Sequence, residues 1–228
     1  MQPPFGEIKH MVKYSFILKG LMPLLMHAID IDAEDEVKRW QQDPKNKSIS
    51  VAGDDRSPPW KWATYTYSDG KNLVMPAENI MACLMGGGKQ MILKRQKTYK
   101  EITQSGLLVN GEHCQFFNHG KPVSFTAITA MKNDGDDFST QAEKAKKMGF
   151  LLHGKRVRVG TSKHIRIRPK FDEWSVQGEI YVLVPEITQP ILQQLFDLAG
   201  RQGLCDWRPS SKTPGPYGQF SAVVEKID

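Results

Sequence analysis

The amino-acid sequence predicts an α+β fold in the ferredoxin-like or RRM-like order β-α-β-β-α-β, with insertions between the elements. Three observations predict this class. Apolar residues recur at helical spacing over 80–85 and again over 191–198. A strand pattern precedes each helical stripe, and another strand pattern closes the chain. This order places two helices on one face of a four-stranded antiparallel sheet and leaves the other face free to bind.

The first strand and the first insertion come from the N-terminal third of the chain. Residues 13–26 are apolar and rich in strand-forming side chains, with interruptions expected at Gly20 and Pro23. A helix is predicted over 33–42. It belongs to an insertion at about 32–72, which is too long for a simple connection and is interpreted as a thumb-like loop.

The first helix of the fold is predicted to start at Pro76, because proline is favoured in the first helical turn. Its apolar stripe runs over 80–85, and the triplet Gly86-Gly87-Gly88 is expected to end it. A second, less regular insertion at about 89–150 follows, with room for two short strands over 106–125.

The C-terminal part predicts two strands, a helix and a last strand. The segments 155–170 and 174–184 both alternate between polar and apolar residues, as strands do. The following helix is predicted to have Thr188 as its N-cap and Gly200 as its C-cap. A glycine-containing loop then leads to a strand near 219–224.

Length and composition indicate a single domain over 1–228 with a moderate basic excess. The chain has 228 residues and a formal net charge of +6, which favours an anionic partner where the cations cluster. Three scattered cysteines argue against a disulfide framework, and no apolar run reaches the length of a membrane span. The expectation is a cytoplasmic protein of a bacterium, an archaeon or a phage. No cofactor, metal site or membrane partner is expected.

The most basic segment is 155–170, which holds no acidic residue. Alternation would gather several of its cations on one sheet face, where they could neutralise phosphates. The alternative is a solvated strand face with edge-protecting charges. Arginine is the most frequent cation of this segment, and its planar guanidinium can donate two hydrogen bonds to one phosphate. This favours phosphate binding. The predicted phosphate-binding residues are Arg156, Arg158, Lys163, His164, Arg166 and Arg168.

A second basic segment, 89–100, includes Lys89, Lys94 and Arg95 around Tyr99. Cations interleaved with an aromatic residue suit a groove that tracks a nucleic-acid strand, although an exposed polar loop has the same composition. The adjacent glycine triplet does not have the spacing of a nucleotide-binding P-loop.

Aromatic and glycine residues supply the remaining binding predictions. Trp60 and Trp62 fall in the first insertion and could stack on bases or wedge between them, or could form the small core of a lobe. Gly215 and Gly218 precede the last strand and could let the backbone approach phosphates, or could simply form turns.

Two stretches carry a resemblance to the RAMP superfamily of CRISPR-associated proteins. Residues Leu18 to His27 look like the first strand of Cas7-like backbone subunits. Residues Gly200 to Pro209, followed by Gly218-Gln219-Phe220, look like their C-terminal part. The middle of the chain resembles them only in outline, as thumb-type insertions. Phage-encoded relatives outside CRISPR loci would share these features.

The resemblance implies sequence-independent binding of single-stranded RNA or DNA by a homo-oligomer that assembles along the strand, with other CRISPR-associated subunits as further partners. In type III relatives an aspartate after the first strand supports metal-dependent cleavage, which makes Asp30 and Asp32 candidates. Helix capping explains both residues more simply.

Two alternative functions remain. One is a Cas6-like metal-independent endoribonuclease, which would use His27 or His164 as a general base. The other is a phage protein of the same fold that binds single-stranded DNA in replication.

Overall fold

A computed structural model describes residues 11–47, 57–95, 97–159 and 162–227, without the side chains of 157–159 and 162–164. The described chain is a mixed α+β structure with antiparallel sheets. Its strands are β1 (Val12–Gly20), β2 (Leu24–Leu25), β3 (Val74–Pro76), β4 (Ile92–Lys94), β5 (Lys97–Thr98), β6 (Leu107–Val109), β7 (His113–Asn118), β8 (Lys121–Pro122), β9 (Leu151–Val159), β10 (Ser162–Phe171), β11 (Trp174–Val182) and β12 (Phe220–Lys226). Its helices are α1 (Ile31–Gln42), α2 (Pro44–Lys47), α3 (Ala77–Gly88), α4 (Lys100–Gly106), α5 (Phe125–Thr129), α6 (Phe138–Lys147) and α7 (Gln189–Gln202), with a 3₁₀ helix at Lys61–Tyr65.

The main sheet has the strand order β12-β1-β11-β7-β3, with β6 also paired to β11 and β8 to β7. Strand β1 lies between β12 and β11, so Phe16 is opposite Gly178 on one side and Val224 on the other. Tyr14, Phe16 and Leu18 are buried while their neighbours are more exposed. One face of the sheet therefore carries the core, as period-2 alternation requires.

Helices α3 and α7 cover the buried face of the main sheet. The rings of Phe16 and Phe196 lie 5.2 Å apart at this contact. Helix α3 ends at Gly88, the last residue of the glycine triplet that was predicted to end it, and the triplet forms the last turn of the helix. A side chain at Gly87 would lie 2.7 Å from the Leu195 carbonyl oxygen, so glycine lets α3 and α7 approach closely.

Helix α7 begins after Thr188, as predicted, but its C-cap is Gly203 rather than Gly200. Gly200 lies inside the helix, where a Cβ atom would stand 2.1 Å from the Phe220 carbonyl oxygen. The glycine thus serves the contact between α7 and β12 rather than ending the helix.

The open face of the main sheet carries balanced charge. On its three strands β12, β1 and β11 the outward charged residues are Lys13, Lys19, Glu179 and Glu225. Lys13 Nζ lies 2.7 Å from Glu179 Oε2. This face offers no concentration of cations for a phosphate backbone.

The basic segment is not a strand of the main sheet, which corrects its predicted place in the fold. Strands β9 and β10 form an antiparallel hairpin that pairs with β2 in a separate three-stranded sheet. Strand β7 instead occupies the place beside β11 in the main sheet. We refer to Leu151–Phe171 as the basic hairpin.

Of the two readings of Trp60 and Trp62, the structure fits the core of a lobe and contradicts exposed rings that stack on bases. The segment around Trp60 and Trp62 forms the 3₁₀ helix rather than a ribbon, and the two side chains are only 2 % and 1 % exposed. Trp62 Nε1 donates to Gln141 Oε1 at 2.8 Å, and Trp60 Nε1 donates to Asp134 Oδ1 at 2.7 Å. Both rings form the core of the inserted lobe and present no surface on which a base could stack.

Candidate nucleic-acid interface

A cleft of about 540 Å³ opens between α3 and the loop that follows α7. We call it the loop cleft. The most deeply buried part of its lining, which we call its floor, includes the apolar side chains of Cys83 and Leu204. His27 and Tyr67 also line it. The volume lies in the range of pockets that hold small ligands.

The rim of the loop cleft is cationic. Lys89 at the end of α3, Lys100 at the start of α4 and Arg208 in the loop all line it. None of the three has an ion-pair partner among the described residues. Asp206 is the one carboxylate of the described lining, and Arg168 already pairs with it. The cleft therefore has a net positive lining.

Loop 203–210 separates the loop cleft from the basic hairpin and has an unusual backbone. Cys205 and Trp207 adopt φ values of 62° and 48°, in the left-handed region that side chains disfavour. Each such residue costs about 1–3 kcal/mol and persists only where its surroundings enforce the conformation. Between them, the Asp206 amide donates to the Leu25 carbonyl oxygen at 3.0 Å. The loop therefore holds Asp206 in a fixed position.

The glycines of this region serve the loop's own packing. Gly218 is buried with a φ of 73°, and a Cβ atom there would lie 2.0 Å from the Leu204 carbonyl oxygen. A Cβ atom on Gly215 would lie 2.5 Å from the Trp207 carbonyl oxygen. The Leu204 and Gly218 amides are already bound to carbonyl oxygens. The prediction that Gly215 and Gly218 bring free backbone to phosphates is replaced by the alternative reading, turns and close packing.

Asp206, Arg168 and His27 form what we call the Asp206 cluster. Arg168 Nε donates to Asp206 Oδ2 at 3.0 Å, and His27 Nδ1 lies 3.4 Å from the same oxygen. Burial opposes ionisation of this carboxyl, but hydrogen bonds from His27 and Arg168 outweigh it and lower the pKa of Asp206 to about 2. The cluster keeps an anionic carboxylate beside the imidazole at the edge of the loop cleft.

Arg168 is not a phosphate ligand in this arrangement, which corrects its predicted role. Its side chain is 4 % exposed and its guanidinium lies 4.2 Å from the Tyr65 ring centroid. Its donors are directed at Asp206, the Ile167 carbonyl oxygen and the His27 ring. The guanidinium therefore holds Asp206 and His27 in place and is not free to bind a phosphate.

The predicted row of hairpin cations is divided between two faces. Lys155 is directly opposite Arg166, so both lie on one face, whereas Arg156 is opposite Ile165 on the other. Lys155 and Arg156 are exposed, and Arg166 is half-buried. The side chains of Arg158, Lys163 and His164 lie outside the described residues.

Aromatic rings contact the hairpin face that carries Lys155 and Arg166. This face lies on the side of loop 203–210 that is opposite the loop cleft. Lys155 Nζ lies 4.6 Å from the centroid of the Trp207 ring. His153 contacts both Trp207 and Tyr217, with ring centroids 5.6 Å and 5.4 Å away. The Lys155 ammonium thus lies among the buried ring of Trp207 and the half-buried rings of His153 and Tyr217, a combination that suits a strand of nucleotides.

The second basic segment is divided between two places. Lys89 faces the loop cleft, whereas Lys94 and Arg95 lie exposed on the small β4–β5 hairpin. Neither Lys94 nor Arg95 lines the loop cleft. The segment therefore contributes Lys89 and Lys100 to the site.

The aspartates after the first strand take structural positions. Asp30, not Asp32, is the N-cap of α1, with its Oδ1 accepting from the Ala33 amide at 3.2 Å. Asp32 is exposed in the first helical turn, where the helix dipole favours a carboxylate. Within the described ranges, no group of three or more His, Cys, Asp or Glu side chains could hold a metal ion.

Sequence reasoning missed Arg208, Asp206 and Gln202 as residues of the cleft, and His153 and Tyr217 beside the hairpin. The clustering of Lys89 and Lys100 was visible in the sequence, but their approach to loop 203–210 depends on the packing of α3 against α7. No sequence signal reports the left-handed conformations that position Asp206.

Comparison with known proteins adds no relative. No protein-family model matches the sequence, and no curated protein is similar to it at a significant level. In the described part of the chain, no helix has the length and apolar character needed to cross a membrane.

Proposed function

We propose that this chain binds single-stranded nucleic acid, most simply RNA, along loop 203–210 and without sequence preference. The observation that carries the proposal is the cationic rim of the loop cleft, where Lys89, Lys100 and Arg208 have no carboxylate partner in the described part. Lys155 and Arg166 continue the positive charge on the other side of the loop.

These cations would act by neutralising phosphates and releasing counterions. Five cations that contact a single strand give a salt slope of about −3.5, at about −0.7 per phosphate. The rings of His153 and Tyr217 offer surfaces on which bases can stack irrespective of their sequence.

The strand order supports a ferredoxin-like core as part of the proposal. If β1, β7, β11 and β12 are taken as its four strands, their spatial order is 4-1-3-2, with α3 and α7 as the two helices. This is the order expected for the β-α-β-β-α-β pattern of RAMP-type subunits. We extend the proposal to assembly of several copies along one strand, because a single cleft covers only a few nucleotides.

Because Trp60 and Trp62 are buried, we do not expect them at the contact between copies. These rings are enclosed in the lobe, so the subunit junction is assigned to other surfaces. Deletion of residues 44–58 remains an expected way to weaken assembly while leaving the main sheet intact.

Binding and assembly are tested together with labelled single strands of RNA and DNA, and with duplexes of the same sequence. We expect single strands to bind more tightly than duplexes. Light scattering on a long oligonucleotide should report particles that grow with strand length. Equal affinity for duplexes would refute the single-strand assignment, and one copy per long strand at saturation would refute assembly.

A second candidate function, metal-independent RNA cleavage, is favoured by the position of His27. Its ring is at the cleft edge beside Asp206, an arrangement that can orient an imidazole. As a general base it would take the proton of a 2′-hydroxyl. The 2′-oxygen would attack phosphorus, and the bond to the 5′-oxygen would break. That oxygen would take a proton from water and leave as a 5′-hydroxyl, giving a 2′,3′-cyclic phosphate.

The contacts of His27 make RNA cleavage the second candidate rather than the first. Arg168 Nη2 lies 3.1 Å from His27 Nε2, so the lone pair of that nitrogen is already directed at a donor when Nδ1 carries the proton towards Asp206. The imidazole must turn before it can accept a proton from a substrate. Incubation of RNA with the wild-type protein and with His27→Ala tests the candidate. Cyclic-phosphate ends that require His27 would establish cleavage, and intact RNA would exclude it.

A further inference from the structure

We infer that the loop cleft accepts one unstacked nucleotide of the bound strand, with the base inside and the phosphate at the cationic rim. This inference rests on the proposed function and specifies which part of the strand occupies the cleft. Three features of the cleft point to this occupant: its size, the cations at its rim, and one polar side chain without a partner in the described part of the chain.

The volume and the lining both fit a nucleotide. The cleft of about 540 Å³ falls within the range of about 300–1,000 Å³ that is typical of small-ligand pockets. The Cys83 and Leu204 side chains of its floor are buried and apolar, so they can contact the face of a base. The aromatic side chain of Tyr67 and the imidazole of His27 supply rings beside that floor.

The charges are arranged at the rim rather than on the floor. Lys89 is the C-cap of α3, Lys100 is the first residue of α4, and Arg208 lies in loop 203–210. Three separate elements therefore contribute cations. Arg208 is fixed by its own contacts, since Nη1 donates to the Cys205 carbonyl oxygen at 2.6 Å and Nε to Ser210 Oγ at 3.0 Å. A fixed guanidinium with two mobile ammonium groups can hold the phosphates on either side of a nucleotide.

Gln202 is the group that would meet the base. It is the last residue of α7 and lines the cleft, and its side-chain amide has no hydrogen-bond partner in the described part of the chain. An amide can both donate and accept, so after rotation it can pair with polar edges of different bases. Recognition through Gln202 is therefore compatible with binding that tolerates any sequence.

Gly86 keeps this space open. A Cβ atom at Gly86 would stand 2.4 Å from Gln202 Oε1. The atom that it would meet is the end of a flexible side chain, so a substitution here displaces Gln202 without disturbing the backbone. Valine is also a better helix former than glycine. Gly86→Val is thus a means of filling the cleft while leaving all three cations in place.

The experiment measures binding of the four nucleoside 5′-monophosphates, the matching nucleosides and inorganic phosphate to the wild-type protein by calorimetry. We expect saturable binding of the nucleotides, with inorganic phosphate and nucleosides each weaker by about tenfold or more. Gly86→Val should weaken nucleotide binding by about tenfold or more. Gln202→Glu, which adds a carboxylate without bulk, should do the same, and it serves if Gly86→Val fails to fold.

A labelled single strand measured beside the nucleotides separates the two claims. If strands bind but nucleotides do not, or if neither variant affects nucleotide binding, the cleft assignment is wrong and the proposed function survives. If nucleotides bind and strands do not, the cleft is a site for free nucleotides and the proposed function fails. If neither ligand binds, both are wrong. Equal affinity for inorganic phosphate and nucleotides would also overturn the inference, because it would leave no role for the base.

Discussion

Replacement of Asp206 tests whether loop 203–210 is held in place by its buried charge. Asp206→Ala removes the carboxylate that accepts from Arg168 at 3.0 Å and leaves a guanidinium that is 4 % exposed without its partner. Loss of one member of a buried ion pair costs about 3–5 kcal/mol. We expect the free energy of unfolding to fall by that amount.

Asp206→Asn removes the charge but retains the shape, and its effect follows from the pKa. A pKa lowered from 3.8 to about 2 corresponds to about 2.4 kcal/mol, at about 1.36 kcal/mol per pKa unit. The side chain is 22 % exposed, so solvent screening reduces the expected loss to roughly 1.5–2 kcal/mol.

The lowered pKa of Asp206 also makes the free energy of unfolding depend on pH. The pKa of Asp206 is lower in the folded state than in the unfolded chain. The stabilisation is therefore fully present above about pH 4 and is lost as the pH falls through about 2. The difference between wild type and Asp206→Asn should shrink over that window.

The assay is urea unfolding followed by circular dichroism between pH 2 and pH 7. The matched control is Asp172→Ala, because Asp172 pairs with Lys170 at 2.9 Å but is 46 % exposed. An exposed pair contributes at most about 1 kcal/mol. Equal losses for Asp206→Ala and Asp172→Ala at neutral pH would refute the claim that a buried charge positions the loop.

Three further predictions concern the core and the cysteines. Trp62→Phe should cost about 1–3 kcal/mol by leaving the buried Gln141 amide without its donor, while the affinity of the folded protein for a single strand stays unchanged; a loss of affinity at unchanged stability would restore a base-stacking role. Gly218→Ala should lower the melting temperature more than Gly70→Ala, because both glycines have positive φ but only Gly218 has an atom within 4 Å of the added Cβ; equal effects would contradict the packing argument. Burial raises the pKa of Cys83 to about 12 and that of Cys114 to about 11. At pH 8 both thiols should therefore react with iodoacetamide far more slowly in the native protein than in urea. Similar rates in the two conditions would contradict their burial.

The elements with a strong buried periodicity were predictable from the sequence. Helices α3 and α7 and strand β11 each present one apolar face to the core, so spacing alone located them. The role of Gly200 was predicted wrongly, because a glycine can lie inside a helix for close packing as well as at a helix end. At Gly87 and Gly200 only the neighbouring backbone distinguishes these roles.

The aromatic lobe and the binding residues were less predictable. The alternation around Trp60 and Trp62 is typical of a strand, but the segment forms a 3₁₀ helix, and the two indoles donate to Asp134 and Gln141, over 70 positions away. Arg168 has the same sequence context as the other hairpin cations. Its burial follows from Asp206, a partner 38 residues away that no local pattern identifies.

The salt dependence of single-strand binding tests the central claim most directly. Fluorescence anisotropy of a labelled RNA strand, measured over a series of salt concentrations, gives the slope of log affinity against log salt. We predict a slope of about −3.5 for the wild type, and a slope shallower by about 1.4 for the double variant Lys89→Gln, Lys100→Gln. Lys121→Gln with Lys226→Gln, which removes two exposed lysines at the edges of the main sheet, should leave the slope close to that of the wild type. An affinity that does not change with salt, or the same slope for both double variants, would contradict the assignment of the cleft cations to phosphates.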